Sequence, residues 1–116
     1  RVLADSEEVL GGRHPDTISA RAGLAFSFHA AGRTEAAMAL YERVLADSEE
    51  VLGERHPDTL TARASLAFSF HAVGRVEEAI ALRERVLADS EEVLGGRHPD
   101  TISARAGLAF SFHAAG

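Results

Sequence analysis

The chain has 116 residues and a formal net charge of -6, from 18 acidic and 12 basic residues. Every basic residue is Arg, and Lys, Asn, Gln, Trp and Cys do not occur; this excludes disulfides, thiolate metal sites and any Gly-rich phosphate loop that ends in Lys. With no basic cluster, no apolar run near the roughly 18 residues that span a bilayer and no signal-peptide pattern, the expectation is a cytoplasmic chain with no nucleic-acid or membrane partner.

Residues 1–32 recur unchanged at 85–116, and 43–74 is a close variant, which sets a period of 42 residues. Periods of this size mark stacked helical or mixed units, each unable to bury its apolar face without a neighbour. The expected organisation is one repeat array with units 1–42, 43–84 and 85–116, the last incomplete. Arg1 has no Met before it and, aligned with Arg43, falls in mid-helix; the expectation is a piece of a longer array or an engineered chain.

In chain order, residues 1–10 align with the second half of a long helix, and Gly11 supplies its stop. A Gly-x-Arg-His-Pro-Asp joint leads to a short helix that ends at Gly32. Over 34–52, Ala37, Leu40, Tyr41, Val44, Leu45, Val51 and Leu52 fall on one helical stripe, which predicts a two-faced helix of about 28 Å. The acidic run Asp47, Ser48, Glu49 and Glu50 reads as its solvated face. Gly53 is the expected left-handed stop. Pro57 suits the first turn of the next helix, with His56 or Asp58 as its N-cap.

That helix, over 58–73, is shorter and apolar around most of its girth, through Leu60, Ala64, Leu66, Ala67, Phe68, Phe70 and Ala72, which predicts neighbours on more than one side. After Gly74 a second long helix starts near Glu77, and a last short helix covers 100–115. Ala25, Ala37, Ala67 and Ala79 are placed for close helix approach in antiparallel pairs with two- or three-residue turns. Leu24, Phe28, Leu45 and Val51 are expected to be buried.

Leu24-Ala25, Phe28, Gly32, Ala37, Tyr41 and Val44 resemble the signature of the tetratricopeptide repeat (TPR). Leu66-Ala67, Phe70, Gly74, Ala79 and Val86 repeat it, with Arg83 where an aromatic is expected. The 42-residue length and the Leu-Gly-x-x-His-Pro-Asp-Thr joint resemble the long repeats of kinesin light chain and of bacterial arrays. The resemblance implies an all-α, right-handed superhelical solenoid of antiparallel helix pairs.

In such arrays the shorter helix of each pair lines the concave face. The resemblance therefore places Ser19, Phe26 and His29, then Thr61, Ser65, Phe68 and His71, then Phe110 and His113 on a groove for a protein or peptide partner. The kinesin-light-chain type resembles Asn-Asn at positions that here are Ala22-Gly23, Ala64-Ser65 and Ala106-Gly107, so amide grip on a ligand backbone gives way to room for close approach or for a neighbouring helix, with packing as the reading. The joint residues His14, His56 and His98 read as structural. Ser27 and His29, two apart on a helix, do not face each other as a nucleophile and base would. No cofactor, metal or enzymatic activity is expected.

The function read from the sequence is a non-enzymatic interaction or scaffold module. The alternative is a self-assembling building block with no separate ligand. In either case the terminal units have no polar capping helix, and exposed apolar faces invite pairing; Val2, Leu3, Val9 and Leu10 at one end and Leu108 and Phe112 at the other are the expected homo-oligomer contacts.

Overall fold

A computed structural model describes residues 15–116. Five helices follow one another: α1 (Pro15–Ala30), α2 (Thr34–Val51), α3 (Pro57–Ala72), α4 (Val76–Val93) and α5 (Pro99–Ala115). Each packs mainly on the helix before and the helix after it. The pairs α1–α2 and α3–α4 and the helix α5 thus stack as an all-α repeat solenoid. The expected helices over 34–52 and 58–73 are found within one residue of their ends. Residues 1–14, with the readings made on the half helix, Gly11 and His14, lie outside the described residues.

The helix ends follow from local chemistry. His56 is the N-cap of α3, its Nδ1 accepting the Asp58 N–H at 3.1 Å, and His98 does the same for Asp100 at 3.0 Å. Pro57 and Pro99 fill the first turn, where the missing N–H costs nothing. At the other end of α2, Gly53 has φ +100 and donates to the Ser48 and Glu49 carbonyls, the left-handed stop that spares a Cβ the clash it would suffer there. Arg33 and Arg75 close the short turns, each guanidinium lying over an aromatic ring, Phe28 at 4.6 Å and Phe70 at 4.5 Å.

Close approach of the helices rests on Ala25, Ala37, Ala67 and Ala79, all fully buried. Around them Tyr41, Leu66 and Phe70 form one apolar cluster, and Ile18, Val44 and Ala62 a second. Leu24, Phe28 and Leu45 are half-buried. Val51 is exposed, contrary to expectation: towards the end of α2 the inward stripe turns polar, and Asp47 and Ser48 take the buried places.

Those buried polar residues correct the reading of the acidic run as a solvated face. Arg21 of α1 is 1% exposed and its Nη1 bonds Asp47 Oδ2 of α2 at 2.9 Å. Arg63, one period later, is fully buried and reaches two long helices at once. Its Nη1 bonds Asp89 Oδ2 of α4 at 3.2 Å, and its Nη2 bonds Glu49 Oε2 of α2 at 3.0 Å and the Glu54 carbonyl at 3.3 Å. One guanidinium therefore ties consecutive helix pairs together. Arg55 to Glu92 and Arg85 to Glu54 add exposed pairs between the same elements, each worth little alone.

Replacing Gly53 with Val should lower stability by about 1–3 kcal/mol, the usual cost of a β-branched residue held at positive φ. Thermal melts of the two proteins check this; coincident melts would contradict the left-handed cap.

Candidate functional site

The short helices bury one side against the long helices and leave the other open. On α3, Leu60, Ala62, Leu66, Ala67 and Phe70 are buried, whereas Thr61, Ala64 and Phe68 are exposed. The open side repeats along the stack, with Phe26, Phe68 and Phe110 exposed by 65%, 50% and 59%. Large apolar side chains left in water at one face in three successive helices form a patch of the kind that contacts partners.

The rings interlock across repeats. His29 of α1 meets Phe68 of α3 edge-on at 4.9 Å between centroids, and His71 of α3 meets Phe110 of α5 at 5.1 Å. In both pairs a His meets the Phe of the next unit. His29 Nδ1 and His71 Nδ1 are buried without hydrogen-bond partners, so these rings act as aromatic packing elements within the described residues.

Between the short helices lies a hollow of about 430 Å³. Its walls carry Phe26 and His29 from α1, Leu60, Thr61, Ala64, Ser65 and Phe68 from α3, and Asp100 and Ser103 from α5. The long helices supply the floor, with Tyr41 from α2, Arg83, Val86 and Ser90 from α4 and Leu94 just beyond its end. A smaller hollow of about 230 Å³ brings Ser19 beside Thr61 and Ser65. Six of the nine expected groove residues thus line the two hollows. His71 lies half-buried against Phe110, and His113 is exposed at the end of α5.

The floor was not foreseen from the sequence. Tyr41 is buried and burial raises its pKa, while a hydrogen bond with Ser65 works the other way. Arg83 holds the matching place one period on, and burial pulls its pKa down. Its Nη1 crosses Gly107, where any Cβ would collide with it. Ser65 and Gly107 thus make room for a long-helix side chain, as the missing amides imply, and the one available signal was Arg83 standing where the repeat pattern has an aromatic.

Among the described residues no group of three His, Cys, Asp or Glu side chains is placed to hold a metal ion. No described helix is long and apolar enough to cross a membrane. Of the expected homo-oligomer contacts, Val2, Leu3, Val9 and Leu10 lie outside the described residues; Leu108 is half-buried and Phe112 is 50% exposed.

Paired helices, glycine stops and an open short-helix face define a helical-repeat solenoid. The tetratricopeptide repeat family matches this chain over residues 17–58 and again over 58–116; the chain belongs to that family. Among solved structures it is similar to a candidate kinesin light chain of Podosopora anserina with nearly identical TPR-like repeats, at 30% identity and a TM-score of 0.91 over 97% of this chain and 54% of that one. A form of that protein carrying a substitution to methionine matches at the same identity and TM-score, over 53% of its chain. BtubC (BKLC) from P. vanneervenii shares the fold at 21% identity, with a TM-score of 0.88 over 97% of this chain and 45% of that one. The chain thus spans about half the length of these structures. No curated protein matches it.

Proposed function

We propose that the chain is a non-enzymatic interaction module that holds a protein or peptide partner along the open face of α1, α3 and α5. Tetratricopeptide repeats generally mediate protein–protein contacts, and the matches are to repeat families rather than to a catalytic one. The observation that carries the reading is the exposed row of Phe26, Phe68 and Phe110, with the ring pairs His29–Phe68 and His71–Phe110, beside a 430 Å³ hollow. Aromatic side chains at the centre of a patch are the usual anchors of an interface. Their fixed ring contacts also reduce the ordering cost of binding.

A second reading, contact between copies through α5, draws on Ile102 and Phe112, exposed by 52% and 50%. Their counterparts Leu60 and Phe70 on α3 are buried. Among the described residues no helix covers the equivalent face of α5.

Phe68→Ala should weaken partner binding by about 2 kcal/mol or more, the scale of a central aromatic anchor, whereas Glu84→Gln on the exposed side of α4 should change it by less than about 0.5 kcal/mol. Isothermal titration at fixed salt compares the two, and equal effects would contradict the groove. For the second reading, Phe112→Ser should shift sedimentation of the chain towards monomer at micromolar concentration. A wild-type chain that is already monomeric throughout that range would contradict it.

A further inference from the structure

Residues 99–114 repeat 15–30 letter for letter, yet the side chains of α5 stand in different surroundings from those of α1. The side chains of Arg21 and Arg63 are 1% exposed, whereas that of their equivalent Arg105 is 50% exposed. Ile18 and Leu60 are buried, and Ile102 in the same place is half in water. Arg63 is held by two acids, Glu49 from 14 residues earlier and Asp89 from 26 residues later. Arg105 has the earlier one, its Nη2 bonding Glu91 Oε2 at 3.1 Å, and among the described residues it lacks the later one. The joint repeats the contrast: Arg55 pairs with Glu92 of α4, while no acid among the described residues pairs with its equivalent Arg97.

The chain itself carries the stretch that meets these groups elsewhere in the stack. Residues 1–10 repeat 43–52 and 85–94 without a change. In both described copies that stretch closes a long helix and packs antiparallel on the opening half of a short one. Val44 lies with Ile18 and Asp47 bonds Arg21 in one unit, and Asp89 bonds Arg63 in the next. Val2, Asp5 and Glu8 hold the places of Val86, Asp89 and Glu92. The charges therefore match in kind and in order: Glu8 and Asp5 run opposite to Arg97 and Arg105, as antiparallel packing requires.

Resting on the reading of α5 as a contact between copies, we infer that residues 1–10 of a second copy dock on the Ile102 half of α5, with Asp5 on the Arg105 guanidinium and Glu8 on Arg97. Val2 of that copy covers Ile102 as Val44 covers Ile18. The junction is a third instance of a contact the fold already makes twice. Arg105 then has an acid on each side, as Arg63 has, which meets the cost of taking its charge out of water. The two docking surfaces differ, so the contact is head-to-tail, and copies add in an open row that extends the solenoid beyond a dimer.

Charge reversal on full-length chains tests the pairing. Arg105→Glu and Asp5→Arg are measured singly and as an equal mixture, by sedimentation velocity at micromolar concentration and fixed salt. The wild-type chain should form a concentration-dependent series that passes beyond the dimer. Each variant alone sets like charges against each other at the junction and should raise the Kd for association at least about tenfold. The mixture brings opposite charges together at both kinds of junction and should associate again. Arg97→Glu with Glu8→Arg repeats the test on the second ion pair, so that a loss of helical circular dichroism in Arg105→Glu does not decide the outcome. Association of Asp5→Arg equal to wild type, or a wild-type series that stops at the dimer, would overturn the docking of residues 1–10 and leave α5 as a contact of another geometry, such as two α5 faces meeting across a two-fold axis. Failure of both mixtures to associate would overturn the two ion pairs. A wild-type chain that stays monomeric would overturn both this inference and the α5 reading.

Discussion

The stack depends on the arginine buried in α1 and in α3 and on the carboxylate that meets each of them from the following long helix. Arg21 with Asp47 and Arg63 with Asp89 make the same contact in successive units. Burying such a charge costs several kcal/mol unless its partner and its remaining hydrogen bonds are in place. Arg63 meets most of that condition through Asp89, Glu49 and the Glu54 carbonyl, with Nε alone left without a partner among the described residues. Because those groups come from α2, the joint after it and α4, the pair is satisfied only when successive units hold one rotation relative to each other. Apolar contacts such as Phe70 on Ala79 supply attraction but tolerate sliding; the arginine does not.

That fixed rotation sets the open face of the short helices. With α3 locked between α2 and α4, Thr61, Ala64 and Phe68 are turned away from the core and towards the same side as Phe26 and Phe110. His29 and His71 then fall within ring contact of the next unit's Phe. The floor of the hollow differs between units at one position per long helix, Tyr41 in α2 and Arg83 in α4.

Much of this architecture was legible in the sequence because it is written in local signals. Gly53, Pro57 and His56 mark a helix stop and a helix start through backbone chemistry that needs no neighbour, and the small residues Ala25, Ala37, Ala67 and Ala79 report close approach by size alone. The aromatic and His positions of the open face followed from the repeat pattern. The arginine contacts were not legible, for two reasons. Asp47 and Glu49 stand in a charged run, which usually faces water, and their partners lie on other helices 26 and 14 residues away. The exposure of Val51 follows from the same cause, since the stripe predicted as apolar is taken over by Asp47 and Ser48. Arg83 was visible as a departure from the repeat pattern, but its position over Gly107 depends on how α4 and α5 cross.

If the buried arginine sets the register of the stack, its energy must reside in the pairing and not in either residue alone. A double-mutant cycle of Arg63→Met and Asp89→Leu, read by urea unfolding of the chain, isolates that term. The single changes should each be strongly destabilising, Arg63→Met by about 3 kcal/mol because it breaks a buried charge pair, and the double variant should recover at least about 1 kcal/mol relative to their sum. Strict additivity would contradict the account, since it would mean that the two side chains contribute to the fold independently of each other.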